Sequence, residues 1–289
     1  MNHISIISLF SFFVLSQCYP KTEGSFSYSF PDRYSLEEME KVNLPKKLEE
    51  ISGIEWISEN KLWAIEDESS VIYVLNPNTA EITTTQKFAK NADIEEIMVY
   101  NNDAWALKSN GDIYQISNPF RDSMKSIMYN FPGKGKNDFE AMIKSNTGPN
   151  IWIFCKDCNS DKGNEVASVY SFNLESMSFD NKPKKVLNAT DLKSILNEKE
   201  LKNIRIKPSA IAYHPIEHHF YLLSSSDNWL MVLDQQLTPK EFYKLDPAIF
   251  KQAEGITFSP DGTLFISNEA RGGKPTLLSF PYTPSMIKD

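Results

Sequence analysis

The chain lacks the motifs that most directly identify a hydrolase or a nucleotide-binding protein. Its 289 residues contain no Gly-x-Ser-x-Gly nucleophile elbow, no His-Glu-x-x-His zinc motif and no glycine-rich phosphate loop. The formal net charge is −8, whereas nucleic-acid binding needs clustered basic charge to displace counterions. We therefore expect no nucleic-acid partner, and a cation is a more natural ligand.

Cysteine and histidine are scarce, with three and four residues respectively. Cys155 and Cys158 form an isolated Cys-x-x-Cys pair at a predicted strand end. A structural zinc site needs four ligands, and a redox site needs a helix N-terminus in a thioredoxin-like setting. A local disulfide and two free thiols therefore both stay open for this pair. The sequence HPIEHH, residues 214–219, is predicted to form a solvent-facing loop between two strands.

A long apolar run occurs at the start of the chain, over residues 4–16. It is shorter than the roughly 20 residues of a membrane-spanning helix and is typical of a signal peptide. The sequence LSQC, ending at Cys18, resembles a bacterial lipoprotein processing box in which the cysteine is lipidated. We predict a signal peptide (1–18), a tether (19–24) and one domain (25–286) in a membrane-anchored lipoprotein of the bacterial cell envelope; a secreted or periplasmic protein is the alternative.

Five segments of the domain repeat one pattern: Ser or Glu, a small and an aliphatic residue, then a strand pair with an aromatic on the second strand. The segments are SGIEW from Ser52, EEIMV from Glu95, EAMIK from Glu140, SAIAY from Ser209 and EGITF from Glu254. Four-stranded propeller blades repeat every 40 to 50 residues or so, and three of the four separations fit. The pattern predicts an all-β fold, a five-bladed β-propeller, with six blades as the alternative.

Two irregularities in the repeat lead to further predictions. The long separation, between the third and fourth repeats, contains residues 190–204, in which Leu192, Ile195, Leu196 and Leu201 recur at helical spacing. With Thr190 as N-cap, this predicts a short helical insertion between blades three and four. The chain after Glu254 suffices for about three strands, so the alternating segment SFSYSF, residues 25–30, is predicted to supply the fourth and close the ring.

The aromatic residues of the second strands are predicted to be core residues packed between neighbouring blades, because an aromatic side chain buries a large apolar area. They are Trp63, Trp105, Trp152, Tyr221 and Phe265.

The repeat openings are predicted to converge on the propeller axis, because the first strand of each blade is innermost. Glu95, Glu140 and Glu254 would then meet, with Ser52 and Ser209 completing the ring. Several carboxylates in one partly buried site must take up protons, pair with a basic residue or bind a cation. Oxygen ligands suit Ca²⁺ or Mg²⁺ rather than zinc, and we predict Ca²⁺ as the cofactor.

The ends of the second strands offer further side chains to the same channel. Asp67 and Glu269 are possible accessory residues of the site. Lys108 and Lys156 could instead neutralise the glutamates, which would make the axis a salt-bridge cluster without metal. We keep this as the structural alternative.

The same residues resemble the SdiA-regulated, or YjiK, family over about residues 44–280. The resemblance is carried by LPKKLEEISGIEWISENKLWAIEDE, ADIEEI, KNDFEAM, KPSAIAYHP with the following LLSSSD, and KQAEGITFSPDGTLFISNEA. It implies an NHL-like five-bladed propeller with a calcium ion at a shared site and no settled activity. Where this family tends to have Glu-Gly, the chain has Glu95-Glu96 and Glu140-Ala141.

Two functions are consistent with these residues. The first is an exported calcium-binding propeller that acts as a binding or interaction module at the cell envelope, with no catalytic residue assigned. The alternative is a metal-dependent hydrolase, of lactonase or phosphoesterase type, with Glu269 or Asp67 as general base beside a channel metal.

Overall fold

The computed structural model describes residues 27–284, in which twenty-one β-strands form five antiparallel sheets. The predicted signal peptide, the predicted tether and Cys18 lie outside the described residues. Within the described part, no helix is long and apolar enough to span a membrane. The predicted all-β class is confirmed.

Strand β1 (Glu40–Asn43) precedes the first blade in the chain. Blade 1 consists of β2 (Ile51–Ser58), β3 (Lys61–Glu66), β4 (Val71–Leu75) and β5 (Ile82–Lys87). Blade 2 consists of β6 (Ile94–Tyr100), β7 (Asp103–Lys108), β8 (Ile113–Ser117) and β9 (Lys125–Tyr129). Blade 3 consists of β10 (Phe139–Lys144), β11 (Asn150–Cys155), β12 (Val166–Asn173) and two short outer strands, β13 (Ser178–Phe179) and β14 (Lys185–Asn188).

Blade 4 consists of β15 (Ala210–Tyr213), β16 (Phe220–Ser224), β17 (Trp229–Leu233) and β18 (Pro239–Lys244). Blade 5 consists of β19 (Ala253–Phe258), β20 (Leu264–Asn268) and β21 (Thr276–Phe280), completed by β1. The inner strands β2, β6, β10, β15 and β19 contact one another in this order, and β19 contacts β2. The ring therefore closes after five blades, as predicted, and not after six.

The ring is closed by β1, which takes the place predicted for residues 25–30; of these, residues 25 and 26 lie outside the described part of the chain. Strand β1 pairs antiparallel with β21, from Glu40 opposite Ser279 to Asn43 opposite Thr276. Residues 27–30 form no strand; the Phe30 ring lies 5.2 Å from that of Phe250 and 4.8 Å from that of Phe280. The prediction was wrong because Phe30 packs against blade 5 without joining its ladder and Tyr28 is exposed, whereas the true edge strand is polar.

The segment between blades three and four contains two short helical turns and no continuous helix. They are a 3₁₀ turn (Ala189–Leu192) and helix α1 (Glu198–Leu201). The preceding N-caps are Asn188 and Asn197, whose side chains accept backbone N–H groups, so the prediction of Thr190 as N-cap was wrong. The four predicted aliphatic residues do pack against one core cluster, with Leu192 fully buried. A further 3₁₀ turn, Lys46–Leu48, precedes blade 1.

The predicted core aromatics lie between the blades, as expected. Four of the five are buried, and Trp63 is partly buried. The Trp105 ring lies 6.0 Å from Phe172 of blade 3, and the Trp152 ring lies 5.7 Å from Phe220 of blade 4. Such contacts join each blade to the next and hold the inner strands around the axis.

Candidate functional site

A β-bulge occurs at the start of four of the five inner strands. In each, two residues oppose one on the second strand, so one residue is extra to the ladder. The extra residues are Ser52, Glu95, Glu140 and Glu254. The repeat openings are thus the positions where the regular side-chain alternation is interrupted, and they place three carboxylates at one end of the channel.

Three carboxylates form a compact group at this end. One oxygen atom of each of Glu95, Asp138 and Glu140 lies within 4.8 Å of the other two. Glu140 is buried, and the other two are half-buried. Asp138 lies two residues before Glu140, and its carbonyl oxygen accepts the backbone N–H of Lys156 at 2.7 Å. We call Glu95, Asp138 and Glu140 the acidic cluster.

Glu254 lies beside the acidic cluster but is not one of the three. It is 8% exposed, and the side chains of Ser225, Gln252 and Ser209 hydrogen-bond to its carboxyl group. The Ser209 and Ser225 hydroxyl oxygens are also 2.9 Å apart. The structure therefore brings Glu95 and Glu140 together, with Asp138 taking the place that the sequence analysis assigned to Glu254.

Burial and mutual repulsion raise the pKa values of these carboxyl groups. Burial, then the charges of Glu140 and Asp93, raises the pKa of Glu95 to about 11. Burial and Glu254 raise the pKa of Glu140 to about 8, although Lys156 opposes this. Burial and Glu254 also raise the pKa of Glu269 to about 8. Ionising the whole group at neutral pH is therefore unfavourable without a neutralising cation.

One of the two predicted lysines reaches the cluster. The Lys156 ammonium pairs with Glu140 Oε1, whereas Glu140 Oε2 is buried without a hydrogen-bond partner. Burial lowers the pKa of Lys156, but Glu140 and Glu254 outweigh it and raise the pKa overall. Lys108 instead pairs with Asp112 at 3.3 Å. The cluster thus contains part of the predicted salt-bridge alternative and still has an excess of carboxylates.

The remaining predicted residues border the cluster or hold the blades. The Ser52 hydroxyl donates to the Ile94 carbonyl oxygen at 2.6 Å and so ties blade 1 to blade 2. Asp67 Oδ1 is buried without a hydrogen-bond partner, and burial with the nearby Glu50 raises the pKa of Asp67 to about 6. Asp67 and Asp93 line a groove of about 990 Å³ at this end of the protein.

Asp138 and Asp93 were not predicted, although the sequence contains a signal for both. Each lies two residues before a repeat opening, in Asp93-Ile-Glu95 and Asp138-Phe-Glu140. Only one residue separates the two acids, and the second is the extra residue of a bulge. The recurrence of Asp-x-Glu at successive blades would have identified both.

His214 differs from its prediction. It does lie between β15 and β16, but it is fully buried, and its Nδ1 accepts the N–H groups of Ile216 and Glu217. Its Nε2 therefore carries the proton and donates to the Tyr34 hydroxyl at 2.8 Å, while that hydroxyl donates to the Gly262 carbonyl oxygen. Burial lowers the pKa of His214 to about 4.

Cys155 and Cys158 are joined by a disulfide. This resolves the choice left open above. The bond closes a small loop at the end of β11 that contains Lys156, the residue paired with Glu140.

Comparison with known proteins supports the fold and the family. Residues 163–271 match the model of the SdiA-regulated family. The family resemblance is thereby confirmed. The matched residues include Ser209, Ser225, Glu254 and Glu269. No curated protein is significantly similar to the chain in sequence.

Solved structures show the same propeller fold at low sequence identity. A luciferin-regenerating enzyme superposes with a TM-score of 0.51 and 11% identity, over 84% of this chain and 94% of that chain. The glutaminyl cyclase of Myxococcus xanthus superposes with a TM-score of 0.54 and 9% identity, over 85% of this chain and 96% of that chain. At these identities the likeness shows the fold alone.

Proposed function

We propose that this protein is a calcium-binding β-propeller that acts as a binding or interaction module at the bacterial cell envelope. The observation that carries the proposal is the acidic cluster, whose three carboxylate oxygens lie within 4.8 Å of one another. The donor set is made of oxygen atoms alone, which suits calcium and disfavours zinc. Glu140 Oε2, buried and without a partner, is available as a ligand.

The electrostatics of the site support the same proposal. Glu95, Asp138 and Glu140 would hold the ion, and Glu254 and Glu269 would add negative charge around it. Bound Ca²⁺ would neutralise carboxylates whose ionised forms are otherwise disfavoured. Lys156 competes with the ion for Glu140, so it sets an upper limit on the affinity.

Calcium-dependent melting tests this proposal. We expect Ca²⁺ to raise the melting temperature of the mature domain. At a Ca²⁺ concentration a hundredfold above Kd, binding should raise the free energy of unfolding by about 2.7 kcal/mol. The gain should disappear in Glu140→Gln and Asp138→Asn. Asp103→Asn is a matched control, because Asp103 begins β7 and lies at the end of that strand away from the acidic cluster. Its carboxylate accepts hydrogen bonds from Gln115 and Ser117. Absence of bound Ca²⁺, or an undiminished gain in Glu140→Gln, would contradict the proposal.

The membrane anchor is the second part of the proposal, and the lipoprotein-like sequence at Cys18 supports it. We expect the full-length protein to fractionate with membranes and to incorporate labelled palmitate in a bacterial host. The Cys18→Ser variant should lose the label and leave the membrane fraction. Equal membrane association of both proteins would exclude lipidation as the anchor.

A metal-dependent hydrolase is a second candidate function, favoured by the groove beside the acidic cluster. Asp67 lies in this groove with one oxygen unpartnered and with its pKa raised to about 6, which suits a general base. Glu269, with a pKa of about 8, is the other candidate base. Turnover of a lactone or phosphoester that requires Ca²⁺ and is lost in Asp67→Asn or Glu269→Gln would establish this function, and a panel without such turnover would remove it.

A further inference from the structure

A separate cavity of about 360 Å³ lies inside the ring, farther along the inner strands than the acidic cluster. Its walls come from all five inner strands and are largely apolar, with Ile54, Ile97, Met142, Ile211 and Ile256 among the lining residues. Asn146, also on the lining, is exposed, so the cavity reaches solvent on the side away from the acidic cluster. Its volume is at the lower end of the range for small-molecule pockets.

One carboxyl group occupies a ring position where the other four blades have small residues. The residues that follow the repeat openings are Gly53, Glu96, Ala141, Ala210 and Gly255. The Glu96 side chain occupies the space that is free because Gly53 of blade 1 has no side chain. A Cβ placed on Gly53 would come within 2.7 Å of Glu96 Oε1. Glu96 is therefore a side chain built into the channel and not an exposed acid.

The hydrogen bonding of Glu96 is incomplete. It is 2% exposed, and its Oε1 accepts the Ile97 N–H at 3.0 Å. Its Oε2 is buried with no hydrogen-bond partner. The Ile211 N–H approaches the carboxyl group as a weak hydrogen-bond donor that opposes the rise of its pKa, but it does not reach full hydrogen-bond geometry with Oε2. A buried oxygen of this kind costs free energy until a donor reaches it.

Glu55 adds a second weakly satisfied carboxyl group to the same cavity. Its contacts are long: the Val99 N–H donates to Oε1 at 3.3 Å, and the Thr257 hydroxyl donates to Oε2 at 3.5 Å. Lys144 also lines the cavity, but its ammonium donates to the carbonyl oxygens of Ser145 and Gly148 and lies over the Tyr100 ring. Within the described residues, Glu55 and Glu96 form no ion pair with a basic side chain.

We propose that this cavity binds a small organic ammonium ion with an apolar body, with Glu96 and Glu55 receiving the ammonium group. An ammonium offers three N–H donors and no acceptor, which matches one carboxyl oxygen without a partner on Glu96 and two long contacts on Glu55. The isoleucine and methionine walls would cover the apolar body. A hydrated metal ion fits poorly, because it would leave this apolar surface in contact with water.

Titration calorimetry with 2-phenylethylammonium tests the proposal. We expect saturable one-to-one binding by the mature domain, and binding at least tenfold weaker for the neutral isostere 2-phenylethanol. Glu96→Gln should weaken binding of the ammonium at least tenfold while keeping the shape of the side chain. Glu55→Gln should weaken it in the same direction and serves as the second variant if Glu96→Gln does not fold.

The test separates this site from the proposed calcium site. Glu140→Gln, which should abolish the effect of Ca²⁺, should leave ammonium binding unchanged. The proposal is overturned if the mature domain does not bind 2-phenylethylammonium, if the alcohol binds as tightly, or if folded Glu96→Gln or Glu55→Gln retains full affinity. Any of these results would leave the calcium proposal unaffected.

Discussion

Without calcium, the domain should become less stable as the pH rises from 6.5 to 8. The pKa of the Glu140 carboxyl group is raised from 4.5 to about 8 in the folded protein, so the folded state holds a proton that the unfolded state has already released. Such a group stabilises the fold below its unfolded pKa, and this contribution is lost as the pH rises through the folded pKa. Glu269, also with a folded pKa of about 8, acts in the same direction.

The size of the effect follows from the proton count. Over this range the slope approaches about 1.4 kcal/mol per pH unit for each such group, so Glu140 alone contributes about 2 kcal/mol. For a domain of this size, about 2 kcal/mol corresponds to a decrease of about 4 °C in melting temperature. We set the lower limit at pH 6.5 because His214, whose pKa is lowered from 6.5 to about 4, destabilises the fold in more acidic solution.

Melting curves followed by circular dichroism in EDTA at pH 6.5, 7.2 and 8.0 measure this slope. We expect Glu140→Gln to reduce it by the share of Glu140, since glutamine does not titrate but Glu269 still does, and Asp103→Asn to leave it unchanged. Added Ca²⁺ should stabilise the protein more at pH 8.0 than at pH 6.5, because it binds the ionised carboxylates. If melting temperature rises with pH in EDTA, or if Glu140→Gln keeps the full slope, the electrostatic account of the acidic cluster is wrong.

Three further predictions concern the core, the cluster and the disulfide. Trp152→Ala should destabilise the domain by about 3 to 5 kcal/mol, measured by urea unfolding, because it leaves a cavity between blades 3 and 4; a loss below 1 kcal/mol would contradict this packing. Lys156→Met should tighten Ca²⁺ binding about fivefold in calorimetry, since it removes one positive charge beside the ion; weaker binding would show that Lys156 supports the site. Reduction of the Cys155–Cys158 disulfide should lower the free energy of unfolding by about 2 kcal/mol, because the unfolded chain regains the entropy of a small open loop. The protein with both Cys155→Ser and Cys158→Ser should be insensitive to reductant.

The spacing of the repeats predicted the architecture because each blade needs a similar length of chain. The same periodicity located Glu95, Glu140 and Glu254, since equivalent residues of a closed ring must approach the axis. It did not locate Asp138, which directly precedes its strand and lies two residues before Glu140, as Asp93 does before Glu95. Asp138 lies outside the strand, where side-chain alternation gives no orientation, so only the recurrence of an aspartate two residues before a glutamate identifies it from the sequence.

Errors at the edges of the fold have a common physical cause. Strand β1 has the sequence EKVN, and its side chains face mostly solvent, so selection for burial leaves no alternating pattern to detect. The aromatic residues before it do alternate, but Phe30 packs on blade 5 without joining its ladder and Tyr28 is exposed to solvent. His214 was misplaced for the reverse reason. A polar residue in a short loop was assigned to solvent, yet its hydrogen bonds to Tyr34, Ile216 and Glu217 satisfy both ring nitrogens and allow full burial.

The bulges at the repeat openings make the candidate metal ligands extra residues in otherwise regular ladders. If Glu95 were deleted, Ile94 and Glu96 could continue the pairing with β7, and the register of the rest of the strand would not change. A single in-frame codon deletion could therefore remove a ligand while leaving the blade pairing intact. A chain with this fold could therefore gain or lose such an acid in one mutational step without a change in its blade architecture.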